Sequence, residues 1–220
     1  MTSPNFADFF SEKFAVTPRD IRKCNKLRYN VYVKQQQFEP PNKEKVERDA
    51  LDAQAFHTLI TLSNGSSLAT ARLLKDDMPV YDYIDHQLLP HPDECLELSR
   101  FCCDQQKLRK VIRTLSRKGE KYRNQARQIK KLAYLISPAI MRQCFAKAKE
   151  LNRPYLVGIT ESRFIARLEN EHFDIKRLGD PVKYHGIRQG FIIDIEGTLQ
   201  KMNENDAHLK DFMANTAKQS

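Results

Sequence analysis

The stretch Glu94-Cys95-Leu96-Glu97-Leu98-Ser99-Arg100-Phe101-Cys102-Cys103 constrains this chain more than any other. Leu96, Leu98 and, past a break at Arg100, Cys102 alternate with Glu97, Ser99 and Phe101, the period of a β-strand with two different faces. That alternation puts Glu97 and Ser99 on one face and Arg100 on the other. A carboxylate in mid-strand among Leu, Phe and Cys loses its hydration, so it must be paired or its raised proton affinity must be used. Two readings follow. Glu97 is a base that takes a proton from an attacking amine, directly or through water, or it is an acid paired with one of the many arginines.

With 220 residues, 40% apolar and 30% charged, the chain has the make-up of one large folded domain spanning residues 1–220. No apolar run approaches the roughly 18 to 20 residues of a membrane span. Met1 to Asp8 lacks the basic and apolar regions of a secretion signal. Cys24, Cys95, Cys102, Cys103 and Cys144 fit no CxxC or zinc pattern and read as reduced thiols of a cytoplasmic protein. His86, His91, Asp82 and Asp85 lie around prolines without ligand spacing, so no metal site is expected.

The charge is concentrated. Between Lys107 and Lys131 stand Lys107, Arg109, Lys110, Arg113, Arg117, Lys118, Lys121, Arg123, Arg127, Lys130 and Lys131 against one acid, Glu120, while the whole chain is +9. The rest is therefore close to neutral, and this one segment implies an acidic partner. An anionic membrane surface is a further candidate. Nucleic acid is not expected, because Tyr122 is the sole aromatic among these cations and no RRM or zinc-finger signature is present.

In chain order, Phe14-Ala15-Val16 reads as a short strand, and Thr17, Pro18 and Asp20 as the capped start of a helix. Ile21, Cys24, Leu27 and Val31 carry that helix to about Val33. Lys34 to Ala50 is a long polar connection, the kind that rims a pocket. Ala55 to Leu62 and Ser67 to Leu74 are strands of a hairpin turned at Asn64-Gly65. A short helical or irregular stretch, Tyr81 to Leu89, and the turn Pro90-His91-Pro92 lead into the Glu97 strand. After the basic segment, Ile129 to Leu151 reads as the main core helix, kinked at Pro138. Tyr155 to Thr160 is a buried strand, Ser162 to Glu171 a helix, Phe173 to Lys176 a brief strand, and Tyr184 to Ile195 the last long strand, with Gly186 and Gly190 as bulge or close-approach positions. A polar helical tail begins near residue 197. The sum is a mixed α/β sheet in one domain.

Several of these pieces together resemble a known family. Arg28-Tyr29-Asn30-Val31-Tyr32, the spacing Glu47-x-Asp49-x-x-Asp52, Gly65 through Arg72 and Glu97-Leu98-Ser99-Arg100-Phe101 resemble the acyl-homoserine-lactone synthases and their N-acyl amino acid synthase relatives. Gly179-Asp180-Pro181-Val182-Lys183-Tyr184-His185-Gly186-Ile187-Arg188-Gln189 resembles acyltransferases of PEP-CTERM/exosortase systems. The resemblance runs over roughly residues 15 to 197 and implies the GNAT fold, a mixed central α/β sheet flanked by helices. It implies an N-acyltransferase that moves a fatty acyl group from acyl carrier protein, or acyl-CoA, to an amine such as an amino acid, with no bound cofactor. The chain has no tryptophan, which departs from the lactone synthases, and it lacks the Q/R-x-x-G-x-G/A acetyl-CoA signature, Gly119 being the only glycine between Asp104 and Leu151. A non-catalytic binding module of the same fold is the alternative.

The implied site places Glu97, Ser99 and Arg100 at the reacting centre. A backbone N–H near Cys102 or Cys103 is the expected oxyanion donor. Arg28, Arg72 and Arg100 pair with Glu47, Asp49 and Asp52 to close the loop over the acceptor. Tyr32, Phe101, Cys102, Cys103, Tyr184, His185 and Arg188 complete the substrate pocket, Arg188 being suited to an acceptor carboxylate. Arg109, Lys110, Arg113, Arg117, Lys118, Lys121 and Arg123 are the expected carrier-docking face.

Overall fold

A computed structural model describes residues 5–183 and 186–214. Among the described residues seven strands form one sheet in the order β1-β2-β3-β4-β5-β7-β6, from β1 (Phe10–Phe14), β2 (Phe56–Leu62), β3 (Ser67–Leu74), β4 (Cys95–Cys103), β5 (Tyr155–Thr160), β6 (Asp174–Lys183) and β7 (Ile187–Asp194). All neighbours run antiparallel except β4 and β5, which are parallel and pair at only three positions: Cys95 with Tyr155, Leu96 with Leu156 and Glu97 with Val157. Past Glu97 the two strands part. Gly158 sits at the parting, where a β-carbon would come within 2.6 Å of the Leu98 carbonyl oxygen. Only glycine lets the strands approach so closely before they diverge.

Helices cover both faces. The larger core lies under α3 (Gln105–Ser116), α4 (Glu120–Leu132), α5 (Ile136–Glu150), α6 (Ser162–Asn170), α7 (Ile195–Asn205) and α8 (Ala207–Ala214), with Leu96, Leu98, Ile140, Leu156 and Phe191 at its centre. The other face carries α1 (Pro18–Arg28) over Leu59, and α2 (Val80–Tyr83) over Leu74, Cys95 and Val157. Thr17 caps α1 by accepting from the Asp20 N–H at 3.1 Å, with Pro18 in the first turn, as expected. The Asn64-Gly65 hairpin turn forms, Gly65 taking φ +80°.

The structure corrects five sequence expectations. The first strand lies earlier, at Phe10–Phe14, because Ala15 already leads toward the Thr17 cap. The helix expected over Ile129 to Leu151 is broken: α4 ends at Leu132, a 3-10 turn covers Ala133–Leu135, and α5 starts at Ile136. Pro138 has no N–H to donate and its ring crowds the carbonyl four residues back, so it tolerates only a first turn. The brief strand at Phe173 extends to Lys183 as β6. The last strand is shorter, Ile187–Asp194, and Tyr184 and His185 lie outside the described residues. The polar tail is packed, with Met202, Leu209 and Met213 buried in the main core. Gly190 is a close-approach position, pressed between Ile84 and the Leu178 carbonyl.

A sixth correction bears on chemistry. Opposite Ala71, β4 carries an extra residue, so Thr70 pairs with Cys102 while Arg72 pairs with Ser99. Arg100 takes φ +51°, left-handed backbone that a β-branched or bulky side chain resists. This bulge reverses the alternation beyond it. Arg100 therefore shares the face of Glu97 and Ser99, Phe101 turns to the larger core, and Cys102 packs under α1 with Leu27 and Val31.

Candidate active site

A cavity of about 340 Å³ lies where β4 and β5 part, bounded by Glu97, Leu98, Ser99, Arg100 and Phe101 on one strand and Ile159 and Thr160 on the other. Its walls come from both faces of the sheet. Leu98, Phe101, Phe164 and Phe191 belong to the larger core, whereas Leu51, Val80 and Ile159 belong to the cluster on the opposite face. A single space bounded by both faces must pass through the gap between the strands. The side toward the larger core is aromatic and aliphatic; the other sets Leu51, Val80 and Ile159 beside the charged Glu47, Asp49, Arg72 and Arg100.

Glu97 stands in that gap, 5% exposed. Burial pushes its carboxyl up from 4.5 to about 7, against the opposing pull of the Val80 N–H and the positive charges of Arg72 and Arg100. The Val80 N–H donates to Glu97 Oε2 at 2.8 Å. A buried carboxylate with one hydrogen bond among the described residues accepts a proton near neutral pH, which suits it to base chemistry on an amine.

Beside it three arginines and three acids interlock. Arg28, fully buried, reaches both Asp52 oxygens at 2.7 Å and also bonds Glu47 through Nε. Arg72 donates to Ser99 Oγ at 3.1 Å, Asp49 at 2.6 Å and Asp52 at 3.2 Å. Arg100 donates to Glu47 at 2.9 Å and Asp49 at 3.0 Å. Burial alone would raise Asp52, but hydrogen bonds and charge from Arg28, the Asp49 N–H and the Arg72 charge hold it well below the usual carboxylate range. The loop carrying these acids is thereby fastened to β3 and β4, and it rims the cavity through Gln36, Phe38, Glu39, Glu47 and Asp49. Next to the network, burial pushes His57 down, and its Nε2 approaches the Asp52 carbonyl at 3.4 Å.

The end of α1 supports the same strand. It continues as a π-helical segment, Tyr29–Gln35, from which Tyr32 donates to the Phe101 carbonyl at 2.9 Å. Asn30 and Gln35 donate to the buried Asp104 carboxylate at 2.7 and 2.9 Å, and Asp104 caps α3 by accepting from the Lys107 N–H.

Of the residues singled out from sequence, Glu97, Ser99, Arg100, Phe101, Tyr32, Glu47, Asp49, Arg72 and Arg188 line the cavity. Arg28 and Asp52 stand behind its wall. Arg188 pairs with Glu161 at 3.1 Å and lies 5.3 Å over the Phe38 ring. Cys102 and Cys103 are not brought to the cavity: burial drives the Cys102 thiol far up and Cys103 to about 12, and both pack against core side chains. Arg109, Lys110, Arg113, Arg117, Lys118, Lys121 and Arg123 are exposed on α3, α4 and the turn between them, outside the cavity wall. Sequence reasoning missed Val80, Ile159, Glu161, Phe164 and Phe191. The apolar run of β5 hinted at Ile159 alone, since a side chain facing a gap in a sheet looks like any core residue.

Residues 27–116 match the family described as Acetyltransferase (GNAT) domain. No curated protein sequence matches the chain. Among solved structures, the CoA-dependent acyl-homoserine lactone synthase BjaI, with SAM and isopentyl-CoA, superposes with a TM-score of 0.65 at 15% identity, over 95% of this chain and 90% of that one. The AHL synthase LasI gives 0.62 at 16%, over 84% and 90%. FeeM, an N-acyl amino acid synthase from uncultured soil microbes, gives 0.54 at 11%, over 87% and 94%. At these identities the likeness is one of fold: residues 27–116 are similar to an acetyltransferase (GNAT) domain, and the chain shares the overall fold of these structures.

Proposed function

We propose that this chain is an N-acyltransferase that moves a fatty acyl group from an acyl carrier protein thioester to an amine, an amino acid being the favoured acceptor. The neutral amine attacks the thioester carbon, the C–N bond forms and Glu97 takes the proton the nitrogen gives up; the C–S bond breaks, the sulfur leaves as thiolate and is protonated in turn by Glu97 or through water, which returns Glu97 to its ionised form. The observation that carries the reading is Glu97 itself, buried at the parting of β4 and β5 with its carboxyl pushed to about 7. Ser99 and Arg100 flank the reacting centre, and Arg188 at the rim suits an acceptor carboxylate. The absence of tryptophan and the resemblance of Gly179 to Gln189 to exosortase-associated acyltransferases favour an N-acyl amino acid over a lactone.

Two features favour a carrier protein as donor over free CoA. The exposed cations of α3 and α4 complement an acidic protein. The first turn of α3, where backbone amides would cradle a pyrophosphate, is already met by the buried Asp104 carboxylate.

The test is transfer from acyl carrier protein and acyl-CoA thioesters to a panel of amino acids, read by mass spectrometry. Glu97→Gln is expected to lose about 10²- to 10⁴-fold in turnover with its fold intact. Full activity in that variant would remove Glu97 from the chemistry. Reversing the charge of Arg113, Arg117 and Lys121 is expected to raise KM for the carrier-borne thioester, most at low salt, and to leave the CoA thioester unaffected. An unchanged KM would contradict carrier docking on this face.

A further inference from the structure

We infer that Phe191 is the gauge that sets the length of acyl chain this protein accepts. The inference rests on the acyltransferase reading and concerns the apolar arm of the same cavity. That arm is walled by Leu98, Phe101, Phe164 and Phe191, with no charged group among them. Phe101 and Phe164 meet across the gap, ring centroids 4.8 Å apart, and bind β4 to α6. At the mouth the Arg163 side chain is 80% exposed, while Phe191 is 1% exposed, so the arm runs from solvent inward to the Phe191 ring.

Gly158 is why the ring sits there. It pairs with Phe191 across β5 and β7, and a β-carbon on it would lie 3.0 Å from Phe191 Cζ and 3.1 Å from Cε1. The missing side chain admits the ring tip against the backbone at the point where β5 leaves β4. The ring therefore plugs the inner end of the gap, and an alkyl tail threaded along the arm stops against it. An apolar wall gains with each methylene it covers and gains nothing beyond its end.

The experiment uses S-alkyl pantetheine thioethers of graded chain length, which cannot be cleaved, with affinity measured by calorimetry. For the natural protein affinity is expected to climb about fourfold per methylene and then stop at one length. Phe191→Ala is expected to carry the climb on by about two or more further carbons, and Phe191→Leu, which disturbs packing less, by a smaller step in the same direction. A limit that stays put in both Phe191 variants, or an affinity that ignores chain length in the natural protein, would overturn the gauge. Because nothing is turned over, failure of acyl transfer itself shows only in the thioester assay and is told apart from failure of the gauge.

Discussion

Asp52 and Glu97 are both acids with buried side chains within reach of Arg72, and desolvation acts on both in the same direction, yet one ends near neutrality and the other well below the usual carboxylate range. Asp52 has its two oxygens taken by the Arg28 fork, with Arg72 and the Asp49 N–H adding to it. Among the described residues Glu97 has a single hydrogen bond, from the Val80 N–H, and feels Arg72 and Arg100 only as charges at a distance. Direct donors to the ionised form outweigh burial; remote cations do not. The arginine network thus holds shape, and the acid beside it is left to hold a proton.

The largest expected effect comes from breaking the shape-holding half. Arg28→Ala leaves Glu47 and Asp52 buried without their main partner, and a loss of about 3–5 kcal/mol is expected in urea denaturation. A loss under about 1 kcal/mol would mean that the network does not hold the loop.

The next effect sharpens the other half. Glu97 has a folded-state value of about 7 against an ordinary 4.5, so the folded protein binds its proton more tightly than the unfolded chain does. That contribution to stability is fully present below about 4.5 and is lost as pH rises through 7, amounting to roughly 3 kcal/mol. Glu97→Gln escapes the loss while its amide oxygen still accepts from Val80. It is expected to match the natural protein near pH 4 and exceed it by up to about 3 kcal/mol at pH 8. Asp52 behaves oppositely: its contribution is present above its ordinary 3.8 and is lost only as pH falls below that, so it leaves the interval from 5 to 8 flat. Equal stability of the two proteins at every pH would contradict the assignment of a raised Glu97.

Most of the scaffold was legible in periodicity and capping: Thr17-Pro18, Asn64-Gly65 and the period-two run through Glu97 each report local chemistry that the fold preserves. The pairing of Arg28, Arg72 and Arg100 with Glu47, Asp49 and Asp52 was also expected, through the resemblance that these residues carry to the lactone-synthase series. Arg100 was put on the wrong face although the alternation breaks at it, because whether such a break becomes a bulge depends on how β3 and β4 register. The break before Pro138 was missed for a related reason: apolar spacing runs on through residues 133–135 while the backbone hydrogen bonds do not. The apolar wall was invisible, since Val80, Phe164 and Phe191 differ from ordinary core residues only in facing a gap that the divergence of β4 and β5 creates.

The claim at the centre is that one buried carboxylate is held near neutrality beside another held ionised. A carbon-13 NMR titration of the glutamate and aspartate carboxyl groups, with Glu97→Gln and Asp52→Asn to assign the signals, tests it directly. The expected result is a Glu97 midpoint about 7 and an Asp52 signal that stays ionised down to the lowest pH at which the fold survives. A Glu97 midpoint at the ordinary 4.5 would contradict it.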